Sequence, residues 1–158
     1  MLKKDLKNVF YLKVLLLIIA FVLVACTGTR EPIDVAEFQA IMTAENFEVI
    51  DATYQVSGDD DISLILLAMA DSYQIQLTEF NNISEAQRSF NYFRNYADDV
   101  LRSGSYSTRS SEGSNFSSFS LTTGGVYFNL LRIDNIVLLT EAPREYRNEI
   151  RNVIGMLN

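Results

Sequence analysis

Residues 116–140 read FSSFSLTTGGVYFNLLRIDNIVLLT, and their reading decides how the sheet ends. Three runs rich in apolar and β-branched residues, at about 116–122, 126–133 and 136–140, predict strands. Thr123-Gly124-Gly125 and Asp134-Asn135 separate them, and both are good short hairpin turns. Strands joined by so few residues must be antiparallel.

Working toward the N-terminus, a second strand set has the same character. Glu48–Val56 places Ile50, Ala52, Tyr54 and Val56 on one side, with Asp51, Thr53 and Gln55 on the other. Residues 57–61 (SGDDD) make a turn. Ile62–Ala70 (ISLILLAMA) is apolar on both faces, as a central covered strand should be. Asp71-Ser72 then leads into Tyr73–Phe80, where Ile75 and Leu77 alternate with Gln74, Gln76 and Thr78.

Helices flank both sets. Asp34 with Glu37 has the form of a capping box, Val35, Phe38, Ile41 and Met42 share a face, and Asn46 suits a left-handed end, so a helix is predicted at about 34–46. Ser84 and Gln87 predict a second cap, followed by Ala86, Phe90, Phe93, Ala97 and Val100/Leu101 at helical spacing. Ser103–Asn115, rich in Ser and Gly without an apolar period, reads as a surface loop. Pro143 is placed to open a last helix with the buried stripe Tyr146, Ile150, Val153 and Leu157. The expected fold class is α+β, in the order α-βββ-α-βββ-α. An antiparallel meandering sheet of about six strands carries about three helices packed mainly on one face, all in a single domain over 34–158. The repeated pattern raises an internal duplication, although residue identity between the halves does not carry it.

Composition excludes several chemistries. The chain has 158 residues, no His, no Trp and one cysteine, Cys26. An internal disulfide, a Cys/His zinc site and catalysis through a histidine base are all ruled out. Every lysine lies at or before Lys13, and beyond residue 25 nine arginines face 19 acids, a net charge of −10. Such a domain is repelled by phosphate backbones, so no nucleic-acid partner is expected.

The N-terminus reads MLKKDLKNVFYLKVLLLIIAFVLVAC. A basic start precedes the apolar run Val14–Ala25, which rises only about 18 Å as a helix, short of a ~30 Å hydrocarbon core. Leu23-Val24-Ala25-Cys26 resembles the lipobox of bacterial lipoprotein precursors. The resemblance implies that residues 1–25 are a signal peptide removed before Cys26. It further implies a diacylglycerol on the Cys26 thiol and a membrane anchor outside the cytoplasm, on the outer leaflet of the plasma membrane in a Gram-positive cell. Residues 26–33 then form the lipidated Cys and a short tether. The competing reading is an uncleaved membrane helix, since Val9–Ala25 gives 17 residues. From "NFEVIDAT" to "RIDNIVLLTEAPREYRNEIRNVI" the remainder resembles small extracytoplasmic lipoproteins of Gram-positive bacteria. That family implies a fold and a location but no activity.

Candidate sites are few. Arg144, Arg147 and Arg151 follow an i, i+3, i+7 spacing that suits an anion contact, or else a solvated face. Tyr92 and Tyr96 fall off the buried face of the second helix and form a candidate partner patch beside Phe90 and Phe93. Asp59-Asp60-Asp61 lacks the spacing of a calcium loop and reads as a solvated turn. Asp98-Asp99 has no identifiable partner carboxylate for glycosidase-type chemistry. No catalytic residue, cofactor or metal site is expected. The expectation is a membrane-anchored, non-enzymatic module that binds an envelope protein or polymer. The alternatives are a carboxylate-dependent envelope hydrolase and a structural or inhibitor module capping a membrane partner.

Overall fold

The computed structural model describes residues 28–158 except 57, 59, 103 and 158. The lipobox Leu23, Val24 and Ala25, together with Cys26, lies outside the described residues. Among the described residues no helix is long and apolar enough to cross a membrane.

Helix α1 (Val35–Ala44) begins where the Asp34 carboxylate accepts from the Ala36 and Glu37 amides, at 2.7 and 3.1 Å. It ends at Asn46, which takes φ 66° and lets the Phe47 amide donate back to the Met42 carbonyl. Strands β1 (Glu48–Asp51), β2 (Ile62–Met69) and β3 (Gln74–Phe80) follow. Next come helix α2 (Ile83–Tyr96), extended by a π-turn at Ala97–Leu101, and strands β4 (Ser107–Glu112), β5 (Phe116–Thr122), β6 (Val126–Ile133) and β7 (Ile136–Pro143). A 3₁₀ turn at Arg144–Tyr146 leads into helix α3 (Arg147–Gly155). The strands form one seven-stranded sheet in the order β1-β2-β3-β7-β6-β5-β4, and every neighbouring pair is antiparallel. This is the expected α+β class, with one strand more than expected.

The extra strand is β4, which lies inside the segment read as a loop. Its six residues STRSSE are all exposed, so no apolar period marks it; register with β5, from Ser107↔Thr122 to Glu112↔Ser117, holds it in place. A short, polar, two-sided edge strand of this kind also discourages pairing with another chain. The first strand, conversely, is shorter than Glu48–Val56. The Asp51 carboxylate accepts from the Thr53 amide, and the Thr53 hydroxyl accepts from the Ile65 amide, so side chains replace the ladder and Thr53–Val56 coils into a 3₁₀ turn. Two cap assignments also move. Asn82, not Ser84, caps α2, accepting from the Glu85 amide at 3.0 Å. Pro143 closes β7, paired with Val126, and does not open the helix.

Helices cover both faces, which is more complete than a mainly one-sided packing. On one face α1 and α3 bury Phe38, Met42, Ile150 and Val153 against Leu66, Ile75, Leu77, Leu131 and Leu138. On the other, α2 buries Ala86, Phe90 and Ala97 against Phe119, Leu121, Phe128, Leu130 and Val137. Phe128 and Leu131 therefore sit on opposite sides of β6, and the apolar run VYFNLL is explained by burial from both directions. Full burial of each large side chain is worth roughly 1.5–3 kcal/mol. The same geometry speaks against a duplication. Halves that meet through the antiparallel pair β3–β7 would be related by a two-fold axis normal to the sheet. Such an axis keeps α1 and α2 on one face, and here they lie on opposite faces.

Candidate functional site

The α1/α3 face has a region over β4, β5 and β6 that opens into a groove and that no helix of the described residues fills. Register places Arg109, Ser120, Asn129 and Thr140 side by side in one row across four strands. Neighbours in such a row stand about 5 Å apart at Cβ. Ser111 and Ser118 lie one row over. The result is a floor of hydroxyl and amide groups where an apolar floor would ordinarily sit.

Around this floor is a groove of about 480 Å³. Arg109 enters from the edge strand, Arg151 from α3, and Arg30 from the segment before α1. Among the described residues no acidic side chain lines it, although acids outnumber bases 19 to nine beyond residue 25. Among the described residues the ion pairs are Arg88–Glu85, Arg94–Glu112 and Arg102–Asp98, and none involves Arg109, Arg147 or Arg151. Arg30 stacks on the Phe116 ring, 4.5 Å from its centroid.

Tyr127 marks the inner end of the groove. It is 2% exposed, and its hydroxyl donates to Asn129 Oδ1 at 3.3 Å. Burial pushes its phenol up, against the pull of Arg151, Arg147 and Arg109 and a hydrogen bond with Ser120. Three guanidinium groups thus act on one buried oxygen. Close by, three buried polar atoms have no hydrogen-bond partner among the described residues: Asn129 Nδ2, Thr140 Oγ1 and Arg147 Nε. A buried polar atom without a partner costs about 1–3 kcal/mol. Cations gathered without a counter-charge also repel one another. An anion in the groove relieves this charge imbalance and presents acceptors to the donors on the floor.

Of the three arginines anticipated from spacing, the structure brings together two. Arg151 lines the groove, and half-buried Arg147 reaches Tyr127 electrostatically. Arg144 belongs to the 3₁₀ turn, is exposed, and takes no part. Arg30, Arg109, Tyr127, Asn129 and Thr140 were missed. Only the alternation of Arg109 with Ser111, and of Ser118 with Ser120, signalled a shared face, and that needs β4 to be recognised as a strand.

The remaining candidates lie elsewhere. Tyr92 and Tyr96 are 67% and 37% exposed on the outer side of α2. They border hollows on the opposite sheet face, Tyr92 beside Ile62 and Ile65 and Tyr96 beside Gln74 and Gln76. Asp59 lies outside the described residues, and Asp60 and Asp61 occupy the exposed turn before β2. Asp98 Oδ1 is 2.6 Å from Arg102 Nη2, close enough for an ion pair though not aligned as a hydrogen bond, while Asp99 is exposed. Among the described residues no three Asp, Glu, Cys or His side chains gather as a metal site. No protein-family model, curated protein or solved structure significantly matches this chain.

Proposed function

We propose that this chain is a lipid-tethered binding module outside the cytoplasm, not an enzyme, and that it holds an anionic ligand in the groove rimmed by Arg109 and Arg151. One observation carries the second half of this reading: Arg109 and Arg151, which make no ion pair among the described residues, converge over a hydroxyl floor in a strongly acidic domain. Arginine forks match the paired oxygens of phosphates and carboxylates. Among the described residues no carboxylate lines this groove, so the carboxylate-dependent hydrolase alternative does not belong to it.

Calorimetric titration of the full-length protein in detergent, with inorganic phosphate and with acetate, tests the ligand class. Removing two charged contacts, each worth about 1.5–3 kcal/mol, should weaken binding by roughly 100-fold or more in an Arg109→Gln/Arg151→Gln variant. Arg144→Gln should leave it unchanged. Equal affinity in wild type and double variant would remove the groove from the reading. The tether has a separate test. Intact-mass measurement of membrane-extracted protein should show a diacylglycerol on Cys26, and Cys26→Ser should accumulate as the precursor. Normal processing of that variant would refute the lipidation.

The exposed Tyr92 and Tyr96 favour a second reading, contact with an envelope protein across the opposite sheet face. A photo-crosslinking residue at position 92 should then capture one partner at defined mass, and the same residue at position 144 should not.

A further inference from the structure

The segment leading back toward Cys26 is itself part of the groove. Asn115, in the β4–β5 turn, holds the Arg30 backbone at both ends of its side-chain amide: Oδ1 accepts from the Arg30 N–H at 3.0 Å, and Nδ2 donates to the Arg30 carbonyl at 2.9 Å. The Ser114 amide donates to the Gly28 carbonyl at 3.1 Å. Arg30 then lays its guanidinium over Phe116 and forms one wall of the groove. Residues 28–30 are therefore strapped to the sheet, and this strapped stretch begins two residues after Cys26 in the sequence.

That shortness fixes a distance. Cys26 is two residues before Gly28, and two residues span at most about 7 Å. The headgroup layer of one leaflet is about 5–8 Å deep. A lipid on Cys26 thus holds the β4–β5 turn and Arg30 at the level of the headgroups. The anionic groups concentrated there are phosphodiesters, each offering two non-bridging oxygens in the geometry that an arginine fork accepts.

We propose that the groove of Arg30, Arg109 and Arg151 binds a glycerophosphodiester presented at the membrane surface. The ligand is either the headgroup of an anionic phospholipid or a unit of an envelope polymer. Both sources share the chemistry the groove recognises. Its hydroxyl floor (Ser118, Ser120 and Tyr127) suits the glycerol oxygens, and its acidic surroundings repel polyanions that are not held at that place. The proposal rests on the reading that Cys26 is lipidated and that the groove takes an anion.

The test uses the full-length lipidated protein and hydrogen–deuterium exchange at the β4 amides, where edge-strand hydrogen bonds open readily. Four conditions are compared: nanodiscs of phosphatidylcholine, nanodiscs containing phosphatidylglycerol, detergent micelles with soluble glycerophosphoglycerol, and micelles with acetate. Phosphatidylglycerol discs, soluble glycerophosphoglycerol, or both should slow β4 exchange by about tenfold, the effect of one charged contact. Slowing by the discs alone assigns the lipid headgroup, and slowing by the soluble diester assigns the polymer unit as sufficient. The effect should vanish in Arg109→Gln/Arg151→Gln, whose exposed positions leave folding intact, and persist in Arg88→Gln on the opposite face. Protection by acetate but by neither phosphodiester would overturn this proposal while leaving the anion groove standing. No protection under any condition would overturn both.

Discussion

Arg132→Ala should lower the unfolding free energy by about 2–4 kcal/mol. Arg132 lies on β6, only 5% exposed, and faces the α2 side of the sheet. Its Nη1 donates to the carbonyls of Asn115 and Asp134, at 3.3 and 3.1 Å, and its Nη2 to the Ser117 hydroxyl at 3.2 Å. One guanidinium thereby ties the turn before β5 to the β6–β7 hairpin. Burial depresses its proton affinity, with Asp134 and Glu112 opposing, yet a guanidinium stays charged at any ordinary pH. Truncation leaves the Asp134 carbonyl and the Ser117 hydroxyl without this donor in a poorly hydrated place, while the Asn115 carbonyl keeps the Asp134 amide at 2.8 Å. Arg132→Met separates the two contributions, since it restores bulk without charge. If the loss comes from orphaned acceptors, Met should recover less than half of it; if it comes from lost packing, Met should recover nearly all. Urea unfolding followed by circular dichroism measures both variants. A change below about 0.5 kcal/mol for Arg132→Ala, the level of an ordinary surface substitution, would show that water replaces the guanidinium.

The strand meander from Phe116 to Thr140 and the amphipathic α2 were legible because their apolar spacing is enforced by burial on a known face. β4 was not, because an edge strand exposed on both sides needs no apolar residues; its hydrogen bonds to β5 are made by backbone, which every sequence has. The same gap hid the groove. Arg147 and Arg151 share a helix face by local spacing, whereas Arg109, Ser120, Asn129 and Thr140 become neighbours only through the register of four strands. Register is a property of the assembled sheet, and polar residues on a strand read equally well as solvent-facing. Thr140, buried and polar, and Asn129, half-buried with a buried Nδ2, violate the apolar rule where a ligand site is proposed, which is where local consistency is expected to fail. The strap at Gly28 and Arg30 was hidden for a related reason: TGTREPI is polar and short, and its partners, Asn115 on Arg30 and the Ser114 amide on Gly28, lie some 85 residues away in the sequence.

Gly113→Ala should release that strap at a cost of about 1–3 kcal/mol, the range for forcing extra volume into a packed site. A Cβ at position 113 would lie 2.1 Å from Phe116 Cε1 and 2.3 Å from the Gly28 carbonyl oxygen. The first neighbour is a ring held 93% buried in the core, and the second is backbone, so neither yields cheaply. Backbone conformation is not the obstacle, since Gly113 is not among the positive-φ glycines. The chain can keep Phe116 buried only by giving up the Gly28 contact, and with it the two-ended grip of Asn115 on Arg30. Gly28→Ala is the matched control. Its Cβ would meet Phe116 Cε1 at an ordinary 3.8 Å, so its stability should stay within about 0.5 kcal/mol of wild type. Limited trypsin digestion of the membrane-bound protein reads the strap directly. The Arg30–Glu31 bond should resist cleavage in wild type and Gly28→Ala, and in Gly113→Ala it should be cut about tenfold faster, as loss of about 1.4 kcal/mol of local protection requires. Cleavage there strips the groove of one wall and, under the proposed lipidation of Cys26, would free the domain from the membrane. A Gly113→Ala protein with wild-type stability and an uncut Arg30 would mean that Phe116 has another place to go, and that the segment before α1 does not depend on the β4–β5 turn.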